Sequence, residues 1–200
     1  MAEKRGKHVW ATPKCGITFV DTHLRHYNKN KNYQYIVVRN PYIRIVSFYS
    51  QKIVKKYEAG DRHIWHWIQN PEESNYITFE EFVHKLNNIN VYTSERHLLP
   101  QSYGIVNQIF NKVVSLENFK EDMKDVCREL DLPYDEIISK NKENTYNKVN
   151  TITTKVHDKK PDWFIENGIP SDPSLFYTEE LKEIVYNKYK SDFEIFNYEK

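Results

Sequence analysis

A lysine, a glycine and a threonine share one short segment, Pro13-Lys14-Cys15-Gly16-Ile17-Thr18. An arginine and a serine mark a second, Arg39-Asn40-Pro41 with Ser47 beyond it. Ammonium, guanidinium and hydroxyl groups are the donors that oxyanions take. Each segment falls where an apolar, strand-like run gives way to a helical pattern. Backbone N–H groups and the helix dipole gather at such a junction and favour negative charge. Two of these junctions, one after each of the first two strands, suit a molecule that carries two separate phosphate-like groups.

The elements that must position these residues can be read from the pattern. His8-Val9-Trp10-Ala11 predicts a short buried strand, and Ile17 to Tyr27 a helix with Phe19, Val20 and Leu24 toward the core. Gly16 lets the backbone approach a ligand with no Cβ in the way. Thr18 suits a cap or an oxyanion donor. A turn with an exposed lysine and a helix cap explains this first segment equally well. Tyr33 to Val38 is β-branched and aromatic, ending in the Ile-Val-Val run expected of a parallel strand covered on both faces. Asn40 suits an N-cap and Pro41 the first helical position of a helix running to about Tyr57, with Ile45, Val46, Tyr49 and Ile53 on its apolar face. Open α/β sheets bind ligands at the carboxyl ends of their strands, where Arg39 stands. A structural ion pair would account for Arg39 as well, and a solvated position for Ser47.

These residues resemble the carbohydrate sulfotransferases of the Golgi type, relatives of the chondroitin, dermatan and heparan enzymes. The family's Pro-Lys-x-Gly-x-Ser/Thr loop binds the 5′-phosphosulfate of 3′-phosphoadenosine 5′-phosphosulfate (PAPS). By that resemblance Lys14, Cys15, Gly16, Ile17, Thr18 and Phe19 form the corresponding loop here. The family's Arg-x-Pro pair with its following serine, matched by Arg39, Pro41 and Ser47, binds the 3′-phosphate. His97-Leu98-Leu99-Pro100-Gln101 is similar to the family's His-x-x-Pro-Gln segment, and Val114 to Phe119 to the strand and acidic helix start after it. The ending from Tyr177 to Tyr198 is similar to the closing helix and Asp-Phe-x-x-Phe-x-Tyr tail. The motifs keep their order from the first strand nearly to the last residue. The resemblance implies PAPS as donor, adenosine 3′,5′-bisphosphate as product, and a carbohydrate or other hydroxyl as acceptor.

Sulfuryl transfer moves a charge-spread SO3 group in line between two oxygens, much as phosphoryl transfer does. It needs a cation on the leaving bridge oxygen and a base for the incoming hydroxyl. Lys14 suits the first role. His97 is the candidate base, with Glu117 and Glu81 as competitors. No step calls for a metal. His63 with His66, and His23 with His26, have a helical spacing that could hold one, but no third ligand stands in an evident pattern. Cys15 beside Gly16 suggests a cysteine phosphatase, yet no arginine closes that loop. The Walker A pattern is absent, which argues against an ordinary nucleotide kinase.

Composition bounds the remainder. Two hundred residues fit a single domain over 1–200. A net charge of +1 gives no broad cationic field for nucleic acid. Thr78 and Glu81 form a capping box before a helix with Phe79, Phe82, Val83 and Leu86 on one face. Ile109 to Ser115 predicts a third strand, and Asn118 caps a helix bearing Phe119, Met123, Val126 and Leu130. Trp65, Trp67, Tyr57 and Tyr76 cluster in a region that is either an insertion with its own small core or a wall for sugar stacking. Asn141 to Asp162 predicts a long polar loop. In the resembling family a loop at this place closes over the nucleotide, which makes Lys155 an expected contact. The family's Golgi members carry a membrane anchor and more cysteines. Here the start is charged, no apolar run could span a membrane, and only Cys15 and Cys127 are present. The expectation is a minimal member, cytoplasmic or otherwise soluble, of unspecified oligomeric state. Its fold would be α/β, a short parallel sheet flanked by helices, as in the P-loop kinase-like sulfotransferase fold. A non-catalytic nucleotide- or glycan-binding module, or a nucleotide-dependent phosphotransferase, remain as alternatives.

Overall fold

The structure, a computed structural model, describes residues 3–4, 9–24, 32–60, 76–105, 107–140 and 148–200. In chain order its elements begin with β1 (Glu3–Lys4), β2 (Val9–Ala11), α1 (Ile17–Phe19, continued by a π-helical stretch Val20–Leu24) and β3 (Tyr35–Val38). Next come α2 (Pro41–Tyr49), which passes through a π-helical turn (Ser50–Val54) into α3 (Lys55–Glu58), then α4 (Phe79–Asn88) and β4 (Lys112–Ser115). The remainder is α5 (Phe119–Leu130), α6 (Tyr134–Lys140), β5 (Lys148–Val149), α7 (Pro161–Asn167), β6 (Ile169–Pro170), a 3₁₀ turn (Pro173–Phe176), α8 (Glu179–Lys188) and α9 (Lys190–Phe196). The fold divides into two units. One comprises residues 1–40, 99–144 and 191–199, the other 41–98, 145–190 and 200.

The first unit holds the sheet, in the order β1-β2-β3-β4. β2, β3 and β4 run parallel, with Ala11 opposite Val37 and Val38 opposite Ser115, while β1 adds an antiparallel edge. All four residues of β3 are out of water. Side chains alternate across a strand, so both faces of the sheet must be covered. Tyr35 and Val37 pack with Val20 and Leu24, with Phe119, Met123 and Val126 of α5, and with Ile137 of α6. Ile36 and Val38 pack on the opposite face with Ile105 and with Phe196 of α9. The sheet is flanked by helices on both sides.

The second unit is built around aromatic rings. Tyr49 lies 5.4 Å from Phe79, 5.9 Å from both Phe82 and Phe164, and 6.3 Å from Phe176, centroid to centroid. Phe48 stacks on Phe82 at 5.5 Å and Phe164 on Phe176 at 5.5 Å. The Tyr49 hydroxyl keeps a partner in this apolar setting by donating to the Ile77 carbonyl at 2.9 Å. α4 opens with the expected capping box: Thr78 Oγ1 accepts from Glu81 N at 3.0 Å, and Glu81 Oε2 accepts from Thr78 N at 2.7 Å. β5 and β6 form a separate parallel pair.

Several boundaries differ from the sequence expectation. The helix expected from Pro41 to Tyr57 is present, but Ser50–Val54 unwinds to π geometry, where Ser50 Oγ donates back to the Val46 carbonyl at 2.8 Å. α1 gives way to π geometry after Phe19. The third strand begins at Lys112, not Ile109: pairing with β3 starts at Lys112 opposite Tyr35, and Ile109 is 87% exposed. The loop expected from Asn141 to Asp162 contains β5, and α7 begins inside its last two residues. β1 came from a charged segment with no strand pattern; charged side chains are usual on a sheet edge. Trp65, Trp67, His63, His66 and His26 lie outside the described residues. Among the described residues no helix is long and apolar enough to cross a membrane.

Thr78→Ala removes the acceptor for Glu81 N at the start of α4. Urea unfolding should show a loss of about 1 kcal/mol. An unchanged midpoint would mean that the capping box contributes nothing to this unit.

Candidate active site

The turn after β2 is shaped by two left-handed residues, Lys14 at φ 69° and Gly16 at φ 71°. A lysine in that region is uncommon and costs conformational energy, which the surrounding bonds must offset. Cys15 N donates to the Thr12 carbonyl at 3.1 Å and closes the turn. A Cβ on Gly16 would stand 3.2 Å from Leu116 Cδ2, so the glycine serves the backbone conformation and close packing against the β4–α5 connection. Thr18 is exposed on the first turn of α1, and Lys14 is half-buried. The Phe19 ring meets Phe119 edge-on at 5.4 Å and belongs to the core. Ile17 contributes its backbone to the opening of α1.

The Cys15 side chain faces inward and is fully buried. Its Sγ accepts from Thr12 Oγ1 at 2.7 Å and donates to Gln101 Oε1 at 2.8 Å. The same Gln101 oxygen accepts from Arg39 N at 2.9 Å, and Gln101 Nε2 donates to the Arg39 carbonyl at 2.7 Å. One buried amide thus bonds the turn after β2 and the end of β3. The two turns also touch directly, since Arg39 Nη1 donates to the Lys14 carbonyl at 3.3 Å. Parallel pairing of β2 with β3 puts both ends on the same edge of the sheet.

Asp192 of α9 fixes the amide in turn. Its carboxylate is fully buried and accepts from Gln101 N at 2.8 Å, from Ser102 N at 2.8 Å and from Ser102 Oγ at 2.7 Å. Backbone N–H dipoles and a hydroxyl directed at a carboxylate are charge-assisted bonds, which is how this acid is accommodated out of water.

Arg39 also pairs with Glu117, Nε to Oε1 at 3.8 Å, and remains 21% exposed. Glu117 accepts from Asn40 N at 3.1 Å, Ser115 Oγ at 2.7 Å and Tyr198 OH at 3.3 Å. Burial, reinforced by the Glu117 charge, pushes the Tyr198 phenol far above its usual range. A carboxylate with this many structural donors is a brace for the second turn, which removes Glu117 as the better candidate for a base. Glu81 fares no better. Burial opposes its charged form, but the Lys160 ammonium at 2.8 Å and the Thr78 N–H outweigh that and hold it below the usual carboxylate range.

Ser47, His97 and Lys155 belong to the second unit. Ser47 lies in α2, half-buried. His97 is paired through Nδ1 with Glu95 Oε1, and that oxygen also accepts from His97 N at 3.0 Å. The side-chain bond from His97 is the main cause that brings the Glu95 carboxyl down to about 2. Lys155 Nζ donates to the carbonyls of Ser174 at 3.0 Å and Tyr177 at 2.7 Å, so the ammonium ties its own loop to the 3₁₀ turn.

Gln101 and Asp192 stand within the sequence motifs, but nothing in those motifs marks their roles. No motif marks Glu95 or Arg44. Arg44 carried a usable signal: it sits three residues after Pro41 and four before Phe48, on the buried stripe of α2. Among the described residues no group of three or more His, Cys, Asp or Glu could hold a metal.

A model of the sulfotransferase family matches residues 12–199, an interval that begins at the turn after β2 and runs past α9. No curated protein and no solved structure matches the chain.

Gln101→Leu keeps the volume but removes the acceptor for Arg39 N and for the Cys15 thiol, and the donor to the Arg39 carbonyl. The unfolding free energy should fall by about 2 kcal/mol, since losing a hydrogen-bond partner at a buried polar group costs about 1–3 kcal/mol. A variant of wild-type stability in a denaturant titration would show that the amide is dispensable.

Proposed function

Because the chain belongs to the sulfotransferase family, we propose that it moves a sulfuryl group from 3′-phosphoadenosine 5′-phosphosulfate to a hydroxyl, and that the acceptor is a carbohydrate. On this reading residues 1–200 act as one catalytic domain. The observation that carries it is the cross-tie through Gln101, which holds a lysine-bearing turn against an arginine-bearing one at a single sheet edge. A nucleotide with phosphate on both its 5′ and 3′ positions presents two anions, and an ordinary nucleoside triphosphate presents one chain.

The loop of Lys14 to Phe19 takes the 5′-phosphosulfate, with the Lys14 ammonium and the Thr18 hydroxyl as side-chain donors. Arg39 takes the 3′-phosphate, a planar fork suited to two phosphate oxygens. The resemblance assigns Ser47 to the same phosphate and Lys155 to the nucleotide, and both roles are part of the proposal. In the reaction His97 accepts the hydroxyl proton, and the hydroxyl oxygen forms its bond to sulfur. The bond from sulfur to the bridging oxygen breaks, and that oxygen leaves on the 5′-phosphate as adenosine 3′,5′-bisphosphate. Lys14 stabilises the charge that grows there. An ammonium placed where charge develops is worth most at the transition state, so Lys14 bears on rate more than on affinity.

Adenosine 3′,5′-bisphosphate should therefore stabilise the fold, by about 2.7 kcal/mol at a hundredfold excess over its Kd. ATP, with no 3′-phosphate for Arg39, should do much less. Thermal-shift titrations with both nucleotides decide this, and equal shifts would remove Arg39 from nucleotide recognition.

Lys14→Ala should lower turnover of labelled PAPS by about a hundredfold or more while weakening product binding less. Arg39→Ala should show the opposite balance. Near-normal turnover in Lys14→Ala would exclude the lysine from the chemical step.

A further inference from the structure

The loop before Leu98 carries a pair of ionisable side chains whose geometry goes beyond a bare histidine. We infer that Glu95 is the positioning residue of His97: its carboxylate takes the Nδ1–H and leaves Nε2 as the nitrogen that accepts a proton. The inference rests on the proposed role of His97 as base.

Three observations in the second unit carry it. First, one carboxylate oxygen of Glu95 faces His97 Nδ1 and also accepts the His97 backbone N–H at 3.0 Å. Two bonds to the same residue fix the carboxylate relative to the ring. A carboxylate accepts and does not donate, so the nitrogen facing it carries the hydrogen, and the neutral ring must keep its lone pair on Nε2. Second, both side chains are largely withdrawn from water, 23% exposed for His97 and 20% for Glu95. Water therefore competes little for the Nδ1 bond. Third, the backbone beneath the ring is clamped by buried groups from two helices. Arg44 Nη2 of α2 donates to the His97 carbonyl at 3.0 Å, and the hydroxyl of Tyr189, at the end of α8, donates to the Leu98 carbonyl at 2.8 Å. The Arg44 guanidinium lies 5.7 Å from the Tyr189 ring centre, and both residues are 1% exposed or less. A histidine that served only to fill space would not need its main chain held by a buried arginine and a buried tyrosine.

The charged groups that bear on the pair are Glu95 itself, the Lys52 ammonium from the π-helical turn, which acts on Glu95, and the Arg44 guanidinium at the His97 carbonyl. In the transfer step the acceptor hydroxyl loses its proton to Nε2 as its oxygen bonds sulfur, and the electron pair of the broken sulfur–oxygen bond leaves on the nucleotide phosphate. The imidazole then holds both protons, and its positive charge faces the Glu95 carboxylate. Glu95 thus favours the correct tautomer before the step and the charged ring after it, as the carboxylate does in the serine-protease triad.

The test uses the full chain and Glu95→Gln, which keeps an acceptor for the His97 backbone N–H while removing the charge. Nitrogen-15 NMR of the neutral imidazole should show hydrogen on Nδ1 in the wild type and a mixture of tautomers in the variant. Turnover of labelled PAPS with a pool of mono- and oligosaccharides should fall about 10- to 100-fold in kcat, within the range of a positioned base, with the KM for PAPS unchanged. Glu95→Asp should recover most of the rate. Hydrogen on Nε2 in the wild type overturns the inference without any variant, and so does a Glu95→Gln chain that keeps its kcat. Should Glu95→Gln fail to fold, the wild-type tautomer and Glu95→Asp decide the matter. His97→Ala separates the two claims: full turnover there removes the base itself, whereas loss of turnover beside an unaffected Glu95→Gln removes only Glu95.

Discussion

The side-chain amide of Gln101, wholly out of water, holds together the two turns on which the proposed chemistry depends. An amide is suited to this position because it donates and accepts at once. Its oxygen takes the Cys15 thiol and the Arg39 N–H, and its nitrogen gives to the Arg39 carbonyl. A carboxylate there would lose the donor, and an apolar side chain would lose both. Asp192 extends the constraint to α9 by binding the Gln101 and Ser102 main chain. The strain of a left-handed Lys14 is tolerable inside such a frame, because the turn is over-determined by bonds to its neighbours.

At the second turn a structural ion pair holds the arginine to which the proposed function gives the 3′-phosphate. Arg39 is engaged by Glu117 and by the Lys14 carbonyl, yet its side chain stays partly exposed. Glu117 is itself held by Asn40, Ser115 and Tyr198, so it orients Arg39 without following it. Under the proposed function an incoming phosphate meets an arginine already aimed, which lowers the conformational entropy lost on binding.

Much of this was legible from residue types. The buried run of β3, the face of α5 and the capping box of α4 follow from periods of 2 and 3.6 and from local capping chemistry. The positions of Lys14 and Arg39 at strand ends were legible for the same reason. What failed was set by distant partners or by local backbone choices that propensity does not encode. The π-helical turn after Tyr49 looks like ordinary helix in sequence, and β1 exists only because β2 offers it an edge. Gln101 gained its role from residues 62 and 86 positions away, and Asp192 from one 91 positions away. No window of sequence contains both members of such a pair. The sequence places Cys15 in the loop after β2 but does not show that its side chain turns inward to Gln101.

The most direct test of the account is the structure of this chain bound to adenosine 3′,5′-bisphosphate. The expected complex has the 5′-phosphate within hydrogen-bond reach of Lys14 and Thr18, the 3′-phosphate on the Arg39 guanidinium, and the Gln101 bonds to Cys15 and Arg39 intact. A nucleotide seated with its phosphates away from both turns, or bound only after the Gln101 bonds have broken, would contradict it.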